Sequence, residues 1–594
     1  MYLKCHRRFK DGKEHRYWSI AEKRRCAGGR VVDRHVLYLG EINDSQKEAW
    51  LRCIEVFDES KGGQMRLALF PAQMPVPDHA RTCGIQVCLG DFKLRRPRQW
   101  GACWAFCQLW EYLGLDKFWR TRLPTSREGT SWYHVLMILT AYRLLDPGSE
   151  WRLHRHWFER SAMGDLLGED FAIVAKDTLY RCLDKVLAHK DALFGHLRGR
   201  WQDLFGVKFE VLLYDLTSTY FESSPPGSEE DKRRFGYSRD HRPDCVQVVI
   251  ALVVTVEGFP LAYEVLAGNT ADRKTLEDFL NTIEKRYGRA HRIWIMDRGI
   301  PTEEHLENMR ARHISYLVGT PKGRLTKLEK ALATLPWHQA REAVEVKLLA
   351  QDQEFYVLVQ SQARVSKERA MRQRRLKRLW KRLKELQQQR PSYETLLLKL
   401  GSARKEAGRA WSLVKLTLPQ APPKQERSRR VDFSFALNKA KLRLTRRREG
   451  QYLLRSNMSG TDPAKLWEFY LQLSEVEAAF KQLKGDLAVR PIYHQRENRI
   501  EAHIFVAFLA YCIQVTLKHR LWLKAPGLTA RQALDKFSTL QMLDVHFPTT
   551  DGRELIFTRY TEPEPDQQLL LAQLDWILPQ QPPPRITAKI AAQM

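Results

Sequence analysis

Between Phe209 and Pro321 the chain carries five short apolar runs, FEVLLYDLTSTYFE, VQVVIALVVTV, FPLAYEVLAG, RIWIMDRG and ISYLVGTP. They are rich in β-branched and aromatic residues and are punctuated by Gly, Pro, Asn and Asp, which is the pattern of buried strands. No other stretch constrains the fold as tightly. ADRKTLEDFLNTIEKRYG, with its helical spacing, lies before the fourth run. Three strands, a helix and a further strand predict an α/β unit, a mixed sheet with helical cover.

Two of these runs contain an acidic residue that an apolar strand disfavours. Asp215 interrupts VLLYDLTSTYF, and Asp297 ends IWIM where the chain enters a Gly-containing turn. A buried charge is costly unless it is paired or bound to a metal. Two aspartates at strand ends of one sheet suit a divalent cation with oxygen ligands. Either alone also fits a residue that only caps a turn.

Glu477 is the third candidate. It sits in TDPAKLWEFYLQLSEVEAAFKQLKGDL, which opens with Thr461 as N-cap and Pro463 in the first turn. At 100° per residue, Val476, Phe480, Leu483 and Leu487 form a buried stripe. Tyr470 and Lys484 fall about 20° to either side of Glu477. The three stack along about 21 Å of one helix face. Glu475 lies on another face and is the weaker candidate. The same pattern also describes an ordinary amphipathic helix with a rim Glu and Lys.

Around this core the rest of the chain divides by pattern. Residues 1–75 read as a small β-rich unit, with VVDRHVLYLG a strand and SQKEAWLRCIEVF a short helix. Residues 76–205 read as a helical, DNA-binding candidate, although no helix-turn-helix is recognisable. Residues 206–320 carry the sheet, and 321–456 are a β-rich insertion. Residues 457–530 are returning helices, and 531–594 a tail with a helix and a hairpin. Strands are expected at VKLLAQDQEFYVLVQ, WSLVKLTLP and Phe433–Arg455. Within the insertion, residues 366–390 hold eleven Lys or Arg against two Glu, with an apolar seam at Leu376, Leu379, Leu383 and Leu386. That segment predicts a basic helical hairpin, which either meets DNA backbone or is a solvated face on a packing hairpin.

Lys and Arg exceed Asp and Glu by 98 − 70 = 28. This excess predicts a polyanionic partner, nucleic acid before membrane surface. No run reaches the roughly 18 apolar residues of a membrane span; His134–Leu145 and Ile504–Leu517 come nearest. The first residues lack the apolar core of a signal peptide, so a cytoplasmic location is expected. Ten cysteines without finger spacing read as buried thiols rather than a zinc site. His291, His305, His313 and His503 show no metalloprotease spacing.

The pattern Tyr470-x2-Leu473-x3-Glu477-x6-Lys484 resembles the Y-x2-R-x3-E-x6-K signature of a group of bacterial insertion-sequence transposases with a DDE triad. YDLTSTYFE, the segment from Gly236 to Phe279 and IMDRG resemble that group's other motifs, so the resemblance runs from about Phe209 to Tyr511. It implies a ribonuclease-H-like fold interrupted by the β-rich insertion. It implies Asp215, Asp297 and Glu477 as catalytic ligands of two Mg²⁺, with Mn²⁺ able to substitute. Tyr470 and Lys484 match positions that contact transposon-end phosphates. Leu473 departs from the expected Arg and cannot make a bidentate phosphate contact. Arg490 or Arg499 would have to substitute, and Arg298 joins the DNA-binding candidates. The spacings are 297 − 215 = 82 and 477 − 297 = 180, the second long enough for an insertion.

The resemblance further implies double-stranded DNA as partner, both element ends and target. It implies a homodimer on DNA, no membrane role and a nucleoid-associated location. Hydrolysis at the ends would be followed by attack of the freed 3′-hydroxyl on target DNA. Base contacts are expected from the N-terminal region and the insertion. Two other readings stay open: a ribonuclease-H-like nuclease without joining, and a decayed DNA-binding protein, for which Leu473 is the only support. Trp294, Trp337 and Trp380 are either core residues or a stacking platform for an extruded base.

Overall fold

The architecture is that of a computed structural model. It describes residues 2–10, 12–25, 31–41, 53–71, 76, 84–226, 228, 231–270, 276–287, 292–420, 430–460 and 462–588. The class is mixed α/β.

The alternating residues near the N-terminus form β1 (Tyr2–Lys10), β2 (Lys13–Arg25) and β3 (Val31–Glu41), an antiparallel three-stranded sheet. Four more strands follow: β4 (Cys53–Asp58), β5 (Gly63–Pro71), β6 (Gly84–Val87) and β7 (Lys93–Gln99). The short helix expected at SQKEAWLRCIEVF is therefore corrected over Cys53–Phe57. Ile54 and Val56 alternate with Glu55 and pair antiparallel with β5, turning their side chains into a small apolar cluster. The rest of that expected helix lies outside the described residues.

Residues 84–87 and 93–99 are also strands, so the helical unit begins at Gly101. Its main helices are Gly101–Tyr112, Leu115–Arg122, Trp132–Leu145, Lys176–Val186 and Lys190–Phe205. Trp132–Leu145 is buried nearly all round, because it packs against the C-terminal helix Glu497–Lys524 within the main core. That C-terminal helix corrects the expectation that no segment is long and apolar enough to cross a membrane. By length and composition it passes, but 94% of its apolar window is buried inside the protein.

All five apolar runs are strands: β8 (Val211–Phe221), β9 (Val246–Thr255), β10 (Pro260–Ala267), β11 (Ile293–Met296) and β12 (Ser315–Gly319). They lie in the order β10-β9-β8-β11-β12. β9 runs antiparallel to β8 and β10, and β11 runs parallel to β8 and β12.

The insertion supplies β13 (His338–Arg341), β14 (Val344–Gln351) and β15 (Glu354–Ser361). The basic hairpin follows, with helices Gln362–Gln389 and Tyr393–Ala407, then the ribbon β16 (Val414–Thr417) and β17 (Ser434–Leu437). A strand was expected throughout Phe433–Arg455, but Lys439–Arg447 is a helix. Asn438 caps it by accepting the Lys441 amide at 3.1 Å, and Leu442 is its buried residue. The chain returns through β18 (Gln451–Ser456), which pairs with β12 on one side and β15 on the other. The insertion thus does not interrupt the sheet; it extends it to nine strands.

The single helix expected around Glu477 is two, Pro463–Leu471 and Leu473–Lys484. At the join the Gln472 amide bonds three residues back to Phe469, and the Ser474 hydroxyl takes the Leu471 carbonyl at 2.9 Å. Asp462 caps the first helix, and the expected cap Thr461 lies outside the described residues. After Ala530–Ser538 come β19 (Gln541–Pro548), β20 (Glu554–Tyr560) and β21 (Arg585–Ile586). They join β4–β7 in one seven-stranded sheet, order β6-β5-β4-β21-β20-β19-β7. Residues 531–594 are therefore paired with the N-terminal strands rather than standing as a tail. Arg98 on β7 donates to Asp544 on β19 through its two terminal guanidinium nitrogens at 3.0 and 3.2 Å, with both side chains 1% exposed.

Candidate active site

Parallel pairing of β11 with β8 sets Met296 beside Tyr214. The next residue on each is an aspartate, so Asp297, just past the end of β11, comes beside Asp215, which lies within β8. The helix Leu473–Lys484 packs on β8 and β9 through Val476, Ala479, Phe480 and Leu483. Glu477 stands beside this buried stripe. Asp215, Asp297 and Glu477 line one cavity of about 320 Å³ together with Thr217, Arg239 and Phe480.

The electrostatics follow from crowding like charges. Burial pushes the Asp215 carboxyl up, and the Asp297 and Glu477 carboxylates push it further, to about 7. The Leu216 amide, donating to Asp215 Oδ1 at 2.8 Å, and Arg239 oppose that rise. Such a site favours a cation. Its donors are hard carboxylate oxygens, which fit Mg²⁺ or Mn²⁺ better than softer metals.

Tyr470 donates its hydroxyl to Asp297 Oδ1 at 3.3 Å. Burial first, then the Asp297 carboxylate, holds its phenol above the usual range. The ring reaches this position because residue 319 is glycine: a Cβ there would lie 2.5 Å from the Tyr470 oxygen. Lys484 lies one helical repeat beyond Glu477 and bonds Asp240 Oδ1 at 2.8 Å, and Arg490 pairs with the same carboxylate oxygen. Burial lowers the Lys484 ammonium, and Asp240 opposes that shift.

Asp240 and Arg239 lie in the segment from Gly236 to Phe279 that carries part of the resemblance, but the sequence assigned neither a role. Their loop is pinned to β9 by a two-way backbone bridge between Arg234 and Gln247, and Gln247 also donates to the Gly268 carbonyl at 2.8 Å. Gly268 permits this approach, since a Cβ there would meet the Gln247 carbonyl oxygen at 1.9 Å. The Arg239 amide then reaches the Ser218 hydroxyl at 3.3 Å.

The other expected residues distribute as follows. Arg298 is exposed and lines an adjoining cavity of about 210 Å³ with Asp297, Arg364, Tyr452 and Tyr470. Arg499 is not at the cavity. It bonds Asp184 at 2.7 and 2.8 Å, tying the C-terminal helix to the helical unit. Leu473 is 8% exposed and packs in the main core. Glu475 faces away and pairs with Lys518 at 2.7 Å. Trp294 is 3% exposed, Trp337 packs in a satellite cluster, and Trp380 meets Phe435 edge-on, so all three are packing residues.

A second titratable cluster was not anticipated. Glu150, His494 and His503 are buried with ligand atoms within 4.8 Å of one another. Arg143 lies 3.4 Å from His503 Nδ1 and 4.0 Å from Glu150, and already supplies positive charge there. Burial raises the Glu150 carboxyl, but hydrogen bonds from His494 and His503 outweigh it and hold it well below the usual range. Burial, then Arg143, lowers His503 to about 4, so it is neutral at pH 7. The cluster works as an ion-pair bolt between the helical unit and the segment after Lys484.

The family model described as the transposase DDE domain matches residues 208–513. No curated protein matches. Among solved structures, the cryo-EM structure of the piggyBac transposase synaptic complex with hairpin DNA aligns with a TM-score of 0.35 and 9% identity. That alignment covers 73% of this chain and 76% of that one, too loosely to fix strand correspondences.

Proposed function

The chain belongs to the family of transposase DDE domains, and from that premise we propose that it cleaves the ends of an insertion sequence and joins them to target DNA. In this reading the core is ribonuclease-H-like, and the chain falls in the subgroup with the Y-x2-R-x3-E-x6-K signature, with Leu473 in the arginine position. The strand order β10-β9-β8-β11-β12, with only β9 reversed, supports the fold. The observation that carries the function is the cavity lined jointly by Asp215, Asp297 and Glu477, three carboxylates from distant parts of the chain.

Those three residues would hold two Mg²⁺ ions. When bound, such a pair lowers the pKa of an attacking water or 3′-hydroxyl and stabilises the leaving oxygen. The protein's own contributions are separate. Tyr470 holds Asp297 in place through its hydroxyl. Arg239 offsets part of the carboxylate charge and stands where a phosphate would enter. Lys484 and Arg490, held by Asp240, place two cations beside the cavity to orient the strand. The net charge of +28 supplies sequence-independent attraction to the duplex, so affinity falls steeply with salt.

The test supplies an end duplex with a free 3′-hydroxyl and a supercoiled plasmid. Joined product with Mg²⁺ supports the transposase; fragments without joining point to a plain nuclease. Asp297→Asn is expected to lose cleavage and joining at least about a thousandfold, the scale of removing an essential electrostatic group, while still binding the end. An Asn variant that cuts at the wild-type rate refutes the assignment.

A further inference from the structure

The helix Gln362–Gln389 carries charge that the catalytic cavity does not use. It is 28 residues long, about 40 Å at 1.5 Å per residue. Its inner side is fixed: Leu379, Leu383 and Leu386 are buried against Leu396 and Leu400 of the hairpin's second helix. At 100° per residue, Lys367, Arg374, Lys377, Lys381 and Lys384 all lie more than about 120° round from that seam. All five are exposed. Among the described residues none of them has an ion-pair or hydrogen-bonding partner, whereas Arg369 and Arg372 bind Glu449. Glu385, the acid of this helix nearest that face, is bridged by Arg382 at 3.6 Å.

A row of unpaired cations needs a reason, since like charges on neighbouring turns repel. The five span about 26 Å, and a DNA strand presents one phosphate per roughly 3.4 Å, so the row matches about eight base pairs. The helix also starts at the chemistry. Arg364, in its first turn, lines the small cavity that Asp297 and Tyr470 share, and its guanidinium lies 4.6 Å over the Tyr452 ring. A duplex arm that leaves the carboxylates along this helix would meet the row of cations.

We propose that the outer face of Gln362–Gln389 is a docking rail for the substrate duplex itself. It grips the sugar-phosphate backbone of the arm that runs from the bond being cut. The proposal rests on the carboxylate cavity being the cleavage site. It takes the DNA-contacting alternative for the basic hairpin and assigns it one face and one partner, outside the carboxylate cavity. A backbone grip carries no sequence preference of its own. Its effect is therefore on affinity and on the length of duplex required.

The test uses the full chain carrying Arg374→Gln, Lys377→Gln, Lys381→Gln and Lys384→Gln, and a second form with Lys377→Arg, Lys381→Arg and Lys384→Arg. Binding is measured by fluorescence anisotropy on a 40-base-pair duplex and on a 10-base-pair duplex, without divalent metal, from 50 to 300 mM salt. Neutralising four phosphate contacts is expected to reduce the slope of log K against log salt by about 3.6 on the long duplex. The 10-base-pair duplex still covers the roughly eight base pairs of the row and should lose slope as well, and the Arg form should keep the wild-type slope. With Mg²⁺, a photo-crosslinker at residue 381 should label DNA within about 12 base pairs of the cut bond. An unchanged slope on the long duplex overturns the rail. So does a crosslink scattered along the DNA without relation to the cut. If even the wild type fails to cut, the cleavage reading falls on its own, and the salt slopes still decide whether this face binds duplex.

Discussion

The sharpest consequence of crowding three carboxylates is that the site costs stability until a cation arrives. Asp215→Asn removes one charge at nearly constant shape. The wild-type carboxyl titrates near 7 when folded, against 3.8 unfolded. A folded pKa raised in this way stabilises the protein below pH 3.8, and that stability is lost as pH rises through 7. The difference of about 3 units is at most about 4 kcal/mol, fully expressed near pH 8 and about 1.5 kcal/mol at pH 5. The Asn variant escapes this loss. In urea unfolding with EDTA it should match or exceed the wild type, with an advantage that grows by about 2–3 kcal/mol from pH 5 to pH 8. Adding Mg²⁺ at about 100 times its dissociation constant should then stabilise the wild type by about 2.7 kcal/mol and the variant far less. An Asn variant that is less stable at both pH values, or that gains equally from Mg²⁺, would mean Asp215 is a structural residue, and the triad reasoning would fail.

Two further outcomes are expected. Glu150→Gln leaves Arg143 buried without its anion and should cost about 3–5 kcal/mol in chemical denaturation. In the wild type, His503 should make stability fall as pH drops from 6.5 toward 4, because the unfolded chain takes up a proton that the folded one refuses; a flat profile over that window counts against the buried neutral His503. Asp544→Asn should cost less, about 1–3 kcal/mol, because Asp165 still pairs with Arg98 at 2.8 Å, and should expose β4–β7 to protease, since the bidentate anion of Arg98 lies on a strand more than 440 residues away; loss of protection confined to β19–β21 would show the two chain ends fold separately.

The legible parts of the chain were those whose signal is local. The five runs of the central sheet announce themselves because β-branched residues cluster between turn residues, and each is a strand. Helical period placed Glu477 beside the buried stripe, but only the family resemblance gave it a role, and the break at Gln472 puts Tyr470 on a different helix. What was not legible depends on partners far away in the chain. The seven-stranded sheet joins strands near residue 60 to strands near residue 550, and nothing in either segment names the other. Arg98 reads as a surface residue until Asp544 is placed beside it. Arg239 and Asp240 fall in a segment that resembles the family but has no role assigned within it, and the bridge from their loop to β9 is what brings them to the cavity. Arg499 matched a plausible role by charge, but charge does not say which way a side chain turns, and Asp184 had the better claim.

Asp297 and Glu477 are separated by a long insertion, which would ordinarily leave their relative position loose. The sheet removes that freedom. The chain leaves through β12 and returns through β18, and those two strands are hydrogen-bonded neighbours. The intervening residues therefore begin and end at one place, and the closure cost, which grows only with the logarithm of loop length, is met by strand pairing. A buried ion-pair group then locks the extension to the core. Arg455 on β18 bonds Glu354 on β15 at 2.6 and 2.7 Å and Glu303 at 2.8 and 2.9 Å, and Glu303 opens the helix that follows Asp297. Arg310 of that helix reaches Glu354 as well, at 2.6 Å. The insertion and the strand that ends at Asp297 thus share one frame, so the hairpin's basic face keeps a fixed bearing on Asp297. A surface on a flexible tether would raise the local concentration of DNA without choosing its direction. On this frame the same charges can set which way the duplex leaves the site.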